Sequence, residues 1–143
     1  MAVDAASRAG VQETLEKFRR GYETKDMDLM VDCFAADDVS IFGTAADEKR
    51  IGLEQIKFQI ERDFSQADSI QMSYADTSIS GAGTVAWSIS DVDLVIRSGS
   101  QRVSLQVRFT AVMEALGGKW RIRHSHLSLP DKDTEEGQSF PDS

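Results

Sequence analysis

Two histidines, His124 and His126, stand one residue apart in a stretch of alternating polarity, and alternate residues of a strand share a face. Such a pair could bind an anion, exchange protons or hold a metal, as neutral imidazoles do. The plainer reading makes them hydrogen-bonded histidines of a sheet. A three-ligand metal site needs a third donor, and none can be identified, so no metal and no cofactor are expected. Asp91 and Arg108 could be a buried acid and an anion clamp. Counting from the turn Ser98-Gly99-Ser100 sets them opposite each other, where a structural ion pair is the plainer reading, and Asp93 is then solvent-facing. Trp87, Tyr74 and Trp120 could line a cavity, although aromatics at alternating positions are more often core. Cys33 borders an apolar helix face without a base nearby in sequence, which reads as an inert core thiol. It is the single cysteine, so no intrachain disulfide can form. No motif names a reaction on its own.

The elements that must carry these residues come in two blocks. Three amphipathic helices fill the first half. In the first, from about Asp4 to Glu23, Val11, Leu15, Phe18 and Tyr22 recur at spacings of four, three and four, one stripe of a helix. Asp26 can cap a second, short helix whose Met27, Met30, Val31 and Phe34 share a face, with Asp37 and Asp38 ending it. Val39 to Phe42 reads as a short strand and Gly43 to Arg50 as a polar loop. Leu53, Ile56, Ile60 and Phe64 define a third helix, whose last turns carry Glu61, Arg62 and Asp63 on a solvated face.

From Ile70 onward the period becomes alternating, and the breaks Gly81-Ala82-Gly83, Ser98-Gly99-Ser100 and Gly117-Gly118 divide the chain into four long strands. Val85, Trp87 and Ile89 share one parity, whereas Val92, Leu94 and Ile96 share the other. A bulge near Ser90 or Asp91 would reconcile them and curl the sheet. If Gly117 and Gly118 form a two-residue turn, the register runs back from Leu116 and Lys119. Trp120 then faces Ala115, Ile122 faces Met113, His124 faces Ala111 and His126 faces Phe109. Both histidines would lie on the apolar side, and Arg121 would meet Glu114 as an ion pair on the other face.

The chain has 143 residues and a net charge of -8. That length suits one domain, able to bury about 70% of its unfolded surface. The charge argues against a nucleic-acid surface, since Arg121, Arg123 and His124 are the nearest thing to a basic patch. Met1 to Asp4 does not read as a signal peptide, and no apolar run approaches the ~18 residues of a membrane span. No nucleic acid and no membrane are expected as partners, and a cytoplasmic location is the expectation.

The order of helices, short strand, helix and four-stranded meander resembles the nuclear transport factor 2-like fold, the cone-shaped, cystatin-like α+β domain shared by SnoaL-like polyketide cyclases and ketosteroid isomerases. The resemblance runs from about Val11 to Pro130. Two segments carry it: Met30 to Phe42 (MVDCFAADDVSIF) and Thr110 to Ser128 (TAVMEALGGKWRIRHSHLS). The second, with its Gly-Lys-Trp turn and His-x-His-x-Ser ending, is also similar to the association domain of calcium/calmodulin-dependent kinase II. It marks a fold more than a function, because the superfamily holds enzymes, ligand binders and assembly modules. The resemblance implies three helices packed on a curled, bulged antiparallel sheet. The position of the isomerases' catalytic base corresponds to Gly43, and that of their oxyanion-binding tyrosine corresponds best to Phe18, with Tyr22 one turn further on. Neither Gly43 nor Phe18 can do that work, so isomerase chemistry is disfavoured.

The resulting expectation is one SnoaL-like domain over residues 4–130 and an acidic tail over residues 131–143. A small apolar or weakly acidic molecule would bind in the cone, contacted by His124, His126, Arg108, Tyr22, Trp87 and Phe109. The alternative is an association module whose cavity is incidental. A homodimer is expected either way, because outward residues such as Ile79, Val112 and Leu127 need cover. In the tail, Phe140 is the one residue worth burying, and it could dock on a second copy.

Overall fold

The computed structural model describes residues 3–141. Asp4 accepts a hydrogen bond from the Ser7 amide at 2.7 Å and starts α1 (Ala5–Thr24), which Lys25 ends in the left-handed conformation at φ 52°. Asp26 caps α2 (Met27–Asp32) by accepting from the Leu29 amide at 3.1 Å. This helix stops at Cys33, well short of Asp37. Asp38, at φ 47°, turns the chain into β1 (Ser40–Phe42). The segment expected as a polar loop folds back on itself, and its end is β2 (Lys49–Ile51), antiparallel to β1. Then come α3 (Leu53–Ser65), β3 (Ser69–Ala82), β4 (Val85–Ser98), β5 (Gln101–Leu116) and β6 (Lys119–Ser128).

The six strands form one sheet in the order β2-β1-β6-β5-β4-β3. β1 runs parallel to β6, so the sheet is mixed where wholly antiparallel pairing was expected. The helices cover one face. Val11, Leu15 and Phe18 of α1, Met30 of α2 and Ile56 and Ile60 of α3 are buried there against Met72, Val92, Val107, Phe109, Met113 and Ile122 of the strands. Phe18 stacks on Phe109 with ring centroids 4.9 Å apart. Ile79 is buried on this inner face too, and Leu127 packs against the core, so neither belongs to the outward set expected for them.

The parity change in β4 has a different cause from the one expected. β4 stays in register with β5 throughout, and its even-numbered residues from Ala86 to Ile96 point inward. Ala86, Ser88 and Ser90 are the small buried residues of its first half, while Val85, Trp87 and Ile89 lie on the outer face. The bulge sits across the ladder in β3, where the register shifts between Tyr74 and Asp76 and leaves Ala75 unpaired beside Asp91 and Val92.

The last hairpin follows the expected register as far as Ile122 opposite Met113. Arg123 then bulges, and His124 pairs with Val112, His126 with Thr110. This corrects the facing of both histidines. The residue that points inward is Ser125, opposite Ala111 and 1% exposed. The cause is a change of partner along β6. The Ile122 amide donates to the Cys33 carbonyl at 2.7 Å and its carbonyl accepts from the Ala35 amide at 2.9 Å, whereas His124 is already alongside Ser40 of β1. Arg123 fills the junction and is anchored by Glu114 at 2.8 Å and Asp37 at 3.2 Å. Arg121 does lie opposite Glu114, but its guanidinium pairs instead with Asp32 at 3.1 Å.

Candidate functional site

Between α1, α3, the β1–β2 hairpin and the inner face of β3, β4 and β5 lies a cavity of about 270 Å³. Its sheet side is apolar, made by Ile70, Met72, Leu94, Ile96, Leu105 and Val107, with Leu127 from β6 and Phe18 from α1. Its polar end is a chain of hydrogen bonds. The Tyr22 hydroxyl donates to Asp63 Oδ2 at 2.8 Å, Gln59 Nε2 donates to Asp63 Oδ1 at 2.8 Å, and Arg50 Nε donates to Gln59 Oε1 at 3.0 Å. Gln59 is only 2% exposed, and both its amide groups are used, so it holds the Asp63 carboxyl in one orientation.

Glu48 reaches the same end from the hairpin. The Gly43 amide donates to the Glu48 carbonyl at 2.7 Å, and a Cβ built on Gly43 would collide with Glu48 Oε1 and lie 2.9 Å from Glu48 Cβ. The volume that a side chain at position 43 would need is therefore filled by the Glu48 carboxylate. Arg62 holds Glu48 at 2.8 Å and Asp47 at 2.7 Å.

Burial raises the pKa of Asp63 above its ordinary 3.8, against the lowering effect of the Tyr22 and Gln59 hydrogen bonds, and Glu48 adds a like-charge push in the same direction. Burial, then the neighbouring Asp63, raises Tyr22 well above the ordinary phenol range. A carboxyl whose folded pKa is raised keeps its proton longer in the folded state. Its stabilising contribution is complete below 3.8 and is lost as pH rises through the higher folded value. Asp63→Asn lacks that pH-dependent cost. Its melting temperature is expected to gain on the parent's as pH rises from 3.8 to 7, and the gain to vanish below pH 3.8. Thermal melts across pH 3–7 check this, and a constant difference at every pH would contradict the assignment.

Of the residues expected from sequence to contact a ligand, Tyr22 alone lines this cavity. His124 and His126 are on the outer face: His124 Nδ1 lies 2.9 Å from Ser40 Oγ, and the His126 ring is 5.1 Å from that of Phe42. Trp87 is also outward, paired with Val112. Asp91 and Arg108 are cross-strand partners, as counted, in a separate outer depression with Asp76; Phe109 borders it while its ring is stacked in the core, and the Asp91 and Arg108 side chains form no ion pair. Tyr74 donates to the Leu15 carbonyl at 2.6 Å and packs, with Trp120, against the core. Cys33 is fully buried, and burial pushes its thiol up to about 12, which leaves it unreactive.

Gln59 and Glu48 were missed, and Asp63, expected on a solvated face of α3, is instead half-buried at the polar end of the cavity, where Tyr22 and Gln59 hold it. A signal existed for two of them, since Gln59 and Asp63 stand three residues after Ile56 and Ile60 and so fall on the apolar stripe of α3. Polar residues on a buried stripe are the informative exception. Glu48 had no such signal, because its place depends on the hairpin returning to Gly43.

The family profile of the SnoaL-like domain matches residues 11–132. No curated protein matches the chain. Among solved structures, an NTF2-like protein of unknown function from Pseudomonas putida is similar over 99% of both chains, with 19% identity and a TM-score of 0.81. A protein of unknown function with a cystatin-like fold from Nostoc punctiforme gives a TM-score of 0.78 at 16% identity, over 92% of this chain and 97% of the other. A candidate calcium/calmodulin-dependent protein kinase II association domain from Xanthomonas campestris gives 0.77 at 19% identity, over 92% and 91%. At these identities the likeness is one of fold.

Proposed function

Since the chain belongs to the SnoaL-like family of nuclear transport factor 2-like domains, a scaffold of ligand binders and enzymes, we propose that it binds a small, largely apolar molecule in the cavity ended by Tyr22, Asp63, Gln59 and Glu48. The observation that carries this reading is the division of the cavity into an apolar sheet wall and one polar end with a fixed carboxyl. The ligand donates a hydrogen bond at that end. A weakly acidic ligand is therefore one that enters with its proton on, such as a phenol or an enol. The test is a thermal-shift titration with 2-naphthol. Binding should raise the melting temperature of the parent protein, and Leu105→Trp, which fills the cavity from β5, should abolish the effect. His124→Ala and His126→Ala should leave it intact. A shift that survives Leu105→Trp, or disappears with either histidine, would refute the reading.

A second copy is proposed as partner, on the outer face of the sheet. Phe42, Ile51, Val85, Trp87, Ile89 and Val112 are exposed there, between 38% and 61%. The registers align most of them in two adjacent rows, Trp87-Val112-His124-Ser40-Ile51 and Ile89-Thr110-His126-Phe42. Exposed apolar residues gathered in this way support an interaction surface. A patch of one chemistry is self-complementary across a two-fold axis.

A further inference from the structure

The charged groups at the cavity are of one sign. Glu48 and Asp63 line it, and among the described residues no lysine, arginine or histidine does. The two arginines nearest in contact are already engaged: Arg62 bridges Asp47 and Glu48, and Arg50 donates to Gln59 and lies over the Phe58 ring at 5.2 Å. The Tyr22 hydroxyl directs its proton to Asp63, which leaves oxygen lone pairs, not donors, facing the cavity from that pair. A ligand carboxylate would meet two like charges in a partly desolvated space. A ligand ammonium would meet carboxylates and make charge-assisted hydrogen bonds, about twice as strong as neutral ones.

We propose that the cavity selects a primary amine, entering as its ammonium, on a compact hydrophobic skeleton, with Glu48 and Asp63 as the groups that recognise the charge. This inference rests on the cavity reading above. Gly43 belongs to the recognition as well, because only a residue without Cβ admits the Glu48 carboxylate to that position. Asp63 is fixed by Tyr22 and Gln59, so the two carboxyls approach from different elements, the β1–β2 hairpin and α3, and an ammonium with three donors can address both.

The test uses one skeleton with three polar ends: 1-naphthylmethylamine, 1-naphthalenemethanol and 1-naphthoate, titrated calorimetrically into the full chain at pH 7. The amine should bind about tenfold or more tighter than the alcohol, and the carboxylate should be the weakest. Glu48→Gln should bring the amine's affinity close to that of the alcohol. Gly43→Ala, which displaces the Glu48 carboxylate, should do the same, with melting curves confirming that both variants fold. If the alcohol binds and the amine has no advantage, or the carboxylate matches the amine, the charge selection is wrong while the cavity reading stands. An amine advantage that persists in both variants removes Glu48 from the recognition. If none of the three binds, the cavity reading itself fails and takes this inference with it.

Discussion

Phe109→Ala is expected to lower the free energy of unfolding by about 3–5 kcal/mol, whereas His126→Ala should change it by about 1 kcal/mol at most. Phe109 is 1% exposed and stacks on Phe18, so its ring joins β5 to α1 at the centre of the core. Its removal loses the transfer energy of a full aromatic ring and leaves a cavity that the rigid sheet cannot close. His126 is exposed on the other side of the sheet and its ring contact is with Phe42. The comparison tests the register directly. Without the bulge at Arg123, His126 would sit opposite Phe109 on the buried face, and its truncation would cost as much as that of a core residue. Urea unfolding with an unchanged denaturant slope measures both losses. Losses of equal size would refute the bulge.

What the sequence made legible follows from how local each determinant is. The helices depend on spacing and on a cap within three residues; Asp26 was readable as a cap from its residue type, and Asp4, placed at the start of the first helix, is the residue that caps it. The tight turn at Gly117-Gly118 set the register as far as Ile122, because the pairing with β5 runs unbroken from the turn to that point. Beyond Ile122 the register depends on where β6 exchanges one parallel partner, the segment around Phe34, for another, β1. That exchange is a contact between residues some 85 positions apart, and no periodicity within 119–128 encodes it. The same holds for β4. Its outward Val85, Trp87 and Ile89 look like core when the strand is read alone. The polar end of the cavity was half legible. Asp63 and Gln59 interrupt the stripe of α3, while Glu48 takes its position from a hairpin that its own composition describes only as polar.

Trp87→Lys is expected to weaken the proposed homodimer by about a hundredfold or more without unfolding the chain. Trp87 is flanked across the ladder by Val112, with Val85 and Ile89 next on its own strand and facing the same way, so it stands among the exposed apolar residues of the outer face. Tryptophan at such a position is the residue type most often found to dominate an interface, since its large ring is desolvated on contact at little conformational cost. A lysine there would bring an ammonium to a two-fold interface, where its symmetry mate sits nearby. Like charges are then forced together in a dry patch. The free monomer has no such conflict, because the position is already 39% open to water and long basic side chains lie comfortably along an apolar sheet surface. Sedimentation equilibrium over a concentration series distinguishes the outcomes. The parent chain should give the dimer mass and the variant the monomer mass, with the naphthol-induced thermal shift retained in both, because the cavity opens on the opposite face. A parent chain that remains monomeric at every concentration would leave the outer face without its second copy. A variant that dimerises as tightly as the parent would move the interface elsewhere.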